Sequence, residues 1–508
     1  MKLRRTKTEY TLEVVSILIV TPLVLSLIAA AMRATTGVSI QLAFMISGLV
    51  LVGLVIISGS VWSYPAWRSN TASLRALAVT AASLAPLVTA PYSGLVNFGT
   101  ADGGNHIRFY QSFITAVPDA YNGFVGFYGL LFLIRWVFGI PVDEALLVAL
   151  AYTTFVLTWV VSLWSIRRGV PLLWVLVLNT AAVVPIAMVL QGNGFYPQLL
   201  GLVIFSSYLL VCDRLLDLRA VFPITLLGAA ALRYSYGLTI GDILFAGGGW
   251  LLIHRRYLLA LALLGLGAYA VVQLAPIMTL SGAFPPLAPL PLGIAAALLL
   301  ISVRGRVNLS SAVIVSSFVI WLGFGIQFGF DRYYVQKYAV GLCLTIAAVA
   351  IQSLRGAPAA RMLALGGVLI ATGFAIYPYT HKAIRVVRGK VVHPEVDNRL
   401  IREMRHILAE NKAPLSVFIG SRWPRTNSVN AVFNYEYPYQ DYIAGTIPNR
   451  PGCIFFDATD GLVPRLRANR MAGLASTLEG LARAAHTRFE YPAPWTTQGT
   501  RSIGVVCK

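Results

Sequence analysis

The chain is poor in charged residues, and in acidic residues above all. Only 12% of its 508 residues are charged, and 20 Asp and Glu stand against 40 Lys and Arg. A soluble domain carries about 25% charged residues, so this composition excludes an ordinary soluble enzyme. Because 57% of the residues are apolar and fall in repeated runs, the sequence predicts a mainly α-helical, polytopic membrane protein.

Cysteine and histidine are also scarce, with 4 and 6 copies. Cys212 and Cys343 lie in apolar runs, and no cysteine has the spacing of a metal site. Cys453 and Cys507 lie in the polar C-terminal region, where they are expected to form one disulfide if that region is outside the cytoplasm. No cleavable signal peptide is evident, so the start MKLRRTK and the run after it predict a retained first span.

Apolar runs of spanning length predict about thirteen membrane helices. These runs cover residues 12–32, 40–60, 74–93, 143–165, 171–190, 197–216, 219–234, 237–253, 257–276, 286–303, 310–329, 335–353 and 360–379. One further run, 124–140, is marginal for a bilayer core about 30 Å thick.

Basic residues in short loops predict the orientation, because they are retained on the cytoplasmic side. With the N-terminus inside, sixteen basic residues of the membrane region lie in cytoplasmic loops and six lie outside. This bias holds only if 124–140 does not cross the bilayer, so this run is predicted to be a helix at the outer surface. Residues 1–380 then form the membrane domain, and residues 381–508 form a small extracytoplasmic α/β domain.

The C-terminal domain has a mixed pattern. Its sequence predicts one helix in HPEVDNRLIREMRHILAE and short strands in LSVFIGS, NAVFNY, CIFFDA and SIGVVCK, whereas SRWPRTNSVN and YEYPYQDY are loop-like. Two roles stay open. The domain is either a scaffold over an active site or an acceptor-binding module, since RWPRTN and NYEYPYQDY offer the amide, Arg and aromatic groups that bind glycans.

Acidic residues of the membrane domain concentrate on the outer side. Six of the ten fall there: Asp102, Asp119, Asp143, Glu144, Asp242 and Asp331. The same loops hold the polar and aromatic clusters TADGGNHIRFY, QGNGFYPQ, RYSYGLTIGD and FDRYYVQKY. Ionisable groups near a membrane usually face a cavity or a partner, so we expect an outward-facing polar cavity with basic and aromatic walls.

This order of elements resembles the GT-C superfamily of membrane glycosyltransferases, over roughly residues 75–355. TADGGNHIRFYQSF lies where that family has an acidic residue and its first surface helix. YNGFVGFYGLLFLIRWVFGIPVDEALL resembles the family pattern YPPLYYWLLALLFKLFGxSEFALRL, without its double proline and with VDEA in place of SEFA. DRYYVQKYAVGLCL resembles the late family segment RYLLPLYPALALL. Two additional N-terminal spans distinguish this chain from the family.

The resemblance implies a hexosyl- or pentosyltransferase of the bacterial plasma (inner) membrane. It would move a sugar, with inversion, from a polyprenyl-phosphate carrier to an envelope glycan, lipid or protein on the outer face. Asp102 is the expected base. Besides the donor and acceptor, membrane lipid is an expected partner and nucleic acid is not.

A leaving lipid phosphate needs cations and hydrogen-bond donors. The residues expected to bind the donor phosphate and its sugar are His106, Arg108, Arg233, Arg332, Tyr333, Tyr334 and Lys337. Further site candidates are Asn193, Tyr196, Tyr234, Asp242 and Asp331. No cofactor is identified. A divalent metal at Asp102 and His106 is left open, because one Asp and one His do not make a site.

Two other functions compete with this interpretation. An O-antigen ligase or polymerase also uses outer Arg and His residues, but such proteins usually have a large late loop between spans. A lipid or solute transporter would have polar residues near the bilayer midplane and broken helices in two related halves. The sequence shows no internal repeat, and its charges lie at one face.

Overall fold

The computed structural model is mostly helical, with a four-stranded sheet near the C-terminal end of the chain. It describes residues 14–61, 71–89, 101–115, 125–167, 169–192, 196–212, 218–236, 240–278, 362–363, 366–370, 398–420, 423–433, 435, 437–458, 462–469, 471–485, 487–492 and 500–507.

The N-terminal helices follow the predicted apolar runs closely. They are α1 (Val14–Thr36), α2 (Ile40–Val61), α3 (Thr71–Thr89), α4 (Ala101–Thr115), α5 (Val125–Phe138), α6 (Val142–Arg167), α7 (Leu172–Leu178), α8 (Val184–Gly192), α9 (Tyr196–Cys212), α10 (Leu218–Arg233), α11 (Ile240–Ile253) and α12 (Tyr257–Met278). A π-helical turn, Asn179–Val183, joins α7 to α8. The predicted runs 286–303, 310–329 and 335–353, and all but a few residues of 360–379, lie outside the described residues.

Two of the described helices are long and apolar enough to cross a membrane, Ile19–Thr36 and Val142–Arg167. Several of the other apolar helices, α5 among them, fall below that length. The helical character of the chain and its small C-terminal sheet are therefore established, whereas the count of about thirteen spans stays a prediction.

Helix α5 packs along the second half of α1 and reaches the start of α2. A Cβ atom on Gly129 would lie 2.6 Å from the carbonyl oxygen of Ser26 in α1, so only glycine permits this approach. At the other end of α5, the rings of Trp136 and Phe44 lie 6.5 Å apart, and Phe44 belongs to the second turn of α2. Helix α5 thus extends from the middle of α1 to the start of α2.

A buried polar cluster joins three helical segments inside the bundle. The Asn179 amide donates to the hydroxyls of Ser83 (3.2 Å) and Ser162 (2.8 Å). The Thr80 hydroxyl donates to Ser162 at 3.3 Å. These bonds connect α3, α6 and the π-helical turn. Hydrogen bonds between small polar side chains are a common means of helix association in an apolar environment.

The C-terminal domain begins with α13 (Asn398–Glu410) and has the strand order β1-β2-β4-β3. Its other elements are β1 (Leu415–Ile419), α14 (Trp423–Val432), α15 (Tyr439–Ala444), β2 (Cys453–Asp457), α16 (Leu462–Ala468), α17 (Ala472–Ala484), β3 (Thr487–Pro492) and β4 (Thr500–Cys507). β1 and β2 are parallel, and the other pairs are antiparallel. Cys453 and Cys507 pair across β2 and β4 and form a disulfide.

Three local predictions for this domain are wrong. YEYPYQDY was expected to be loop-like, but its last four residues belong to α15. NAVFNY was expected to be a strand and SRWPRTNSVN a loop, but both contribute to α14. Pro424 stands in the first turn of that helix, where a missing backbone N–H costs nothing. The Asn430 amide accepts from the Phe418 N–H (2.9 Å) and donates to the Phe418 carbonyl (2.8 Å), so α14 is fixed to β1 by a residue type that is otherwise typical of turns.

Candidate functional site

Helix α4 is the element on which the candidate site is built. Its first turn contains Asp102, the expected base, followed by Gly103 and Gly104. Polar residues continue through the helix, and its apolar residues recur among them every three to four positions. This pattern suits a helix that lies on a surface and is held from several sides.

The C-terminal end of α4 is fixed by Arg33, the last basic residue of α1. The Arg33 Nε donates to the Phe113 carbonyl at 2.7 Å, and a terminal nitrogen donates to the Ile114 carbonyl at 2.9 Å. The other terminal nitrogen donates to the Val38 carbonyl at 2.6 Å. Carbonyls in the last turn of a helix lack partners within the helix, and a cation there also complements the helix dipole.

His106, one turn after Asp102, is buried in an aromatic cluster. Its Nδ1 lies 3.0 Å from the Tyr128 hydroxyl of α5, and the residue is 8% exposed. Its ring lies 5.0 Å from that of Tyr196, in the first turn of α9, and 6.3 Å from that of Phe127. We call His106, Phe127, Tyr128 and Tyr196 the α4 cluster. It brings two sequence-predicted residues, His106 and Tyr196, into contact.

Tyr110 continues the buried face of α4 and is 1% exposed. Burial raises the pKa of its phenol above the ordinary value, and the hydrogen bond and charge of Arg135 lower it in part. The net direction is upward, so Tyr110 remains a neutral hydrogen-bond donor at physiological pH.

The turn between α10 and α11 reaches the same place. The Gly126 N–H at the start of α5 donates to the Tyr234 carbonyl at 2.7 Å. Tyr236 packs on α9, where a Cβ on Gly201 would lie 2.7 Å from the Tyr236 Cβ. The Tyr234 backbone thus contacts the start of α5, next to Phe127, whose ring lies 6.0 Å from that of Tyr196. Asp242 follows in the first turn of α11 and is buried.

The C-terminal domain contacts α4 through α14. The Arg108 guanidinium donates to the Asn427 side-chain oxygen, and Asn427 is 5% exposed. One turn further, the Gln111 amide donates to the Ala431 carbonyl at 3.4 Å. The candidate donor-binding residue Arg108 thus has a partner in the C-terminal domain.

A second contact joins that domain to α6. Arg405 of α13 forms a two-pronged ion pair with Asp143, in the first turn of α6, with one of its hydrogen bonds at 3.2 Å. The Asp143 side chain is 1% exposed. A carboxylate this deeply buried needs a bound cation to stay charged, so the domain is part of the fold and not a loose appendage.

The structure brings several predicted site residues to one place. Asp102, His106 and Arg108 lie along α4. Tyr196 and Tyr234 both contact the start of α5, through the ring of Phe127 and the N–H of Gly126. Arg233 ends α10 with an exposed side chain. Asn193, Asp331, Arg332, Tyr333, Tyr334 and Lys337 lie outside the described residues.

Sequence reasoning missed the residues that hold α4 in place. Arg33, Tyr128, Asp143, Arg405 and Asn427 carried no functional role in the prediction. A signal existed for Arg33, because it lies at the end of an apolar run that the sequence predicts to face outside, and so departs from the predicted cytoplasmic bias of basic residues. The partners of Asp143 and Asn427 are more than 250 residues away in the chain, and no local pattern reveals such pairs.

Among the residues that the structure describes, no three His, Cys, Asp or Glu side chains gather as metal ligands. Comparison with protein-family profiles, with curated proteins and with solved structures finds no match for this chain.

Proposed function

We propose that the protein is a polytopic membrane glycosyltransferase that uses a polyprenyl-phosphate sugar on the outer face of the bacterial plasma membrane. The observation that carries the proposal is the position of α4. The helix with Asp102 in its first turn contacts the end of α1, the aromatic rings of α5 and α9, and a folded C-terminal domain. An acid, cations and aromatic rings at one membrane face are what such a transfer requires.

The topology that places α4 outside is supported by the distribution of basic residues, with sixteen on the cytoplasmic side and six outside. In this topology α5 lies at the outer surface, and its start contacts the turn between α10 and α11. A non-crossing α5 is the condition under which the basic residues fall predominantly on the cytoplasmic side.

The disulfide between Cys453 and Cys507 supports the same side for the C-terminal domain. Disulfides persist in oxidising compartments and are rare in the cytoplasm. Since α14 of that domain contacts α4, α4 lies on the outer side of the membrane if the C-terminal domain does.

The chemistry proposed is a single displacement with inversion. The Asp102 carboxylate accepts the proton of an acceptor hydroxyl, whose oxygen attacks the anomeric carbon of the donor. The bond from that carbon to the phosphate oxygen breaks, and the polyprenyl phosphate leaves with the electron pair. Arg233, Arg332 and Lys337 are the cations proposed to stabilise the leaving phosphate.

A transporter is the second candidate, and one observation favours it. The α7–α8 helix is interrupted by a π-helical turn at Asn179, whose side chain is buried among hydroxyls inside the bundle. Interrupted helices and buried polar groups are typical of transporter sites. In this bundle, however, the amide nitrogen of Asn179 bonds to Ser83 and Ser162, which suits helix packing.

The experiment that separates the two candidates measures both activities in the purified full-length protein. Liposome-reconstituted protein receives a panel of polyprenyl-phosphate hexoses and pentoses together with octyl glycosides as acceptors. Sugar addition is followed by mass spectrometry. Lipid movement is followed with a lipid that carries a label on one side of the bilayer, as the loss of label from that side. We expect sugar transfer that Asp102→Asn abolishes and Asn179→Ala retains. Lipid movement without transfer, lost in Asn179→Ala, would replace the transferase proposal by the transporter.

A further inference from the structure

Helices α11 and α12 are joined by a turn of three residues, His254, Arg255 and Arg256. The Arg255 N–H donates to the Leu252 carbonyl at 3.0 Å, and the Arg256 N–H donates to the Leu251 carbonyl at 2.9 Å. This pair of hydrogen bonds is the Schellman arrangement, which ends many helices. The backbone therefore holds the two arginines at the tip of a helical hairpin.

Arg255 stands at the position of this turn that favours glycine. Its φ is 61°, in the left-handed region, where a Cβ atom lies too close to the carbonyl oxygen that follows it. Glycine is the usual residue there, because it has no Cβ atom. A cation is not what ends the helix best at this position, which indicates a role for its side chain outside the turn.

The tip is exposed over eight consecutive residues, 252–259. Ile253 is 64% exposed on one side of the arginines, and Leu258 is 85% exposed on the other. Tyr257, next to Arg256, is exposed as well. Two cations thus lie between large apolar side chains, and a surface of this kind is typical of contact with a membrane or a partner.

We infer that this tip binds an anionic phospholipid of the membrane in which the protein lies. The guanidinium groups of Arg255 and Arg256 bind the headgroup phosphate, because a guanidinium matches phosphate oxygens with two parallel hydrogen bonds. Ile253 and Leu258 lie against the acyl chains, and Tyr257 suits the level of the headgroups. A free phosphate ion would use the arginines alone, so the apolar flanks favour a lipid.

The hairpin holds this surface in place, as a binding site requires. A Cβ atom on Gly248 of α11 would lie 2.8 Å from the Leu264 Cγ of α12, so the two helices pack closely. The His254 Nδ1 lies 2.9 Å from the Trp250 carbonyl oxygen, and the two rings lie 4.7 Å apart. His254 thereby packs back on α11, beside the two arginines.

The predicted orientation places this turn on the cytoplasmic side of the membrane. Basic residues next to apolar helices attract the anionic lipids of that leaflet. The inference uses the membrane location in the proposed function and is independent of sugar transfer.

The test uses the full-length protein in nanodiscs that contain equal amounts of phosphatidylglycerol and phosphatidylcholine with the same acyl chains. The photoreactive residue p-benzoylphenylalanine takes the place of Tyr257, and mass spectrometry after illumination measures the ratio of the two lipid adducts. The variants are Arg255→Gly, and Arg255→Gln combined with Arg256→Gln. The matched control is Lys412→Gly, which also removes an exposed cation from a left-handed position (φ 47°), but in the C-terminal domain.

We expect the phosphatidylglycerol adduct to exceed the phosphatidylcholine adduct at least about tenfold, since each arginine beside anionic lipid contributes about fivefold. Arg255→Gly should lower this ratio about fivefold without lowering the unfolding temperature, because glycine suits the turn. The double variant should give nearly equal adducts, and Lys412→Gly should keep the wild-type ratio.

Equal adducts in the wild type, or an enrichment that persists in the double variant, would overturn the inference. An equal fall in Lys412→Gly would do the same, as would the absence of any lipid adduct. Glycerol phosphate at low millimolar concentration separates a lipid from a soluble anion. An unchanged ratio supports the lipid, whereas loss of the enrichment would show that the arginines bind the free anion. Sugar transfer is no part of these measurements, so the transferase chemistry is tested separately.

Discussion

Arg33 at the end of α1 donates to the carbonyl oxygens of Phe113 and Ile114 in the last turn of α4. A residue that the sequence places at the rim of an apolar helix thereby caps a different helix about eighty positions later. Arg33 is 6% exposed, so its hydrogen bonds are made away from most of the solvent. The position of α4 depends on this contact.

Arg33→Gln should loosen α4. Each hydrogen bond to a charged group contributes about 1.5–3 kcal/mol, so hydrogen exchange in the peptide 101–115 should accelerate roughly tenfold or more. Thr35→Ala is the control, because that exposed hydroxyl bonds only to carbonyls of its own helix. Exchange rates that are equal in Arg33→Gln and the control would show that Arg33 does not hold α4.

Arg405→Gln should destabilise the fold, because it leaves the buried Asp143 carboxylate without its cation. The expected loss is about 3 kcal/mol, at the lower end for a broken buried pair, since the Arg405 side chain is 30% exposed. Thermal unfolding in detergent measures it. The control is Arg467→Gln, which breaks the exposed pair with Glu479 and should cost about 1 kcal/mol or less.

The double variant Asp143→Asn with Arg405→Gln completes this test. It removes the uncompensated charge, so it should unfold at a higher temperature than Arg405→Gln alone. A double variant that is less stable than either single variant would contradict the electrostatic explanation.

The proposed orientation can be tested at two exposed residues that it places on opposite sides of the membrane, Thr35 and His254. On a background in which Cys212 and Cys343 are alanine and the disulfide is kept, Thr35→Cys should react with an impermeant maleimide in intact cells. His254→Cys should react only after lysis. Labelling of His254→Cys in intact cells would invert the orientation.

Cys453 and Cys507 should be oxidised to each other in protein taken from the cell envelope. Mass spectrometry of an unreduced digest should find the two peptides linked, because the cysteines form a cross-strand pair on β2 and β4. Two free thiols in that preparation would argue for a reducing compartment and against an outer C-terminal domain.

The sequence predicted the helices well because apolar runs bounded by charges specify them directly. The apolar run 124–140 illustrates this, since α5 covers Val125–Phe138; its position at the outer surface stays a prediction. α14 was missed because its Pro, Ser, Thr and Asn residues have low intrinsic helix propensity. Bonds from Thr426 and Asn430 to β1 stabilise that helix, and these bonds exist only once the sheet has formed.

The candidate site was predictable only in part. His106 and Tyr196 were selected from their loops, and the structure brings their rings within 5.0 Å. Their common partner, Phe127, lies inside an apolar run in which no single residue was given a functional role. The contacts of Arg108 and Asp143 depend on how the C-terminal domain docks, which is a property of the tertiary structure and not of any local pattern.

Asp102→Asn tests the central proposal most directly, with Asp119→Asn as the control for another outer carboxylate. With an identified donor and acceptor, Asp102→Asn should turn over at least about a hundredfold more slowly, because a general base contributes roughly 10²–10⁴ in rate. Its donor KM should stay near the wild-type value, and Asp119→Asn should keep wild-type turnover. If Asp102→Asn retains more than about a tenth of wild-type turnover, the loss is smaller than removal of a general base should cause. Asp102 is then not the base.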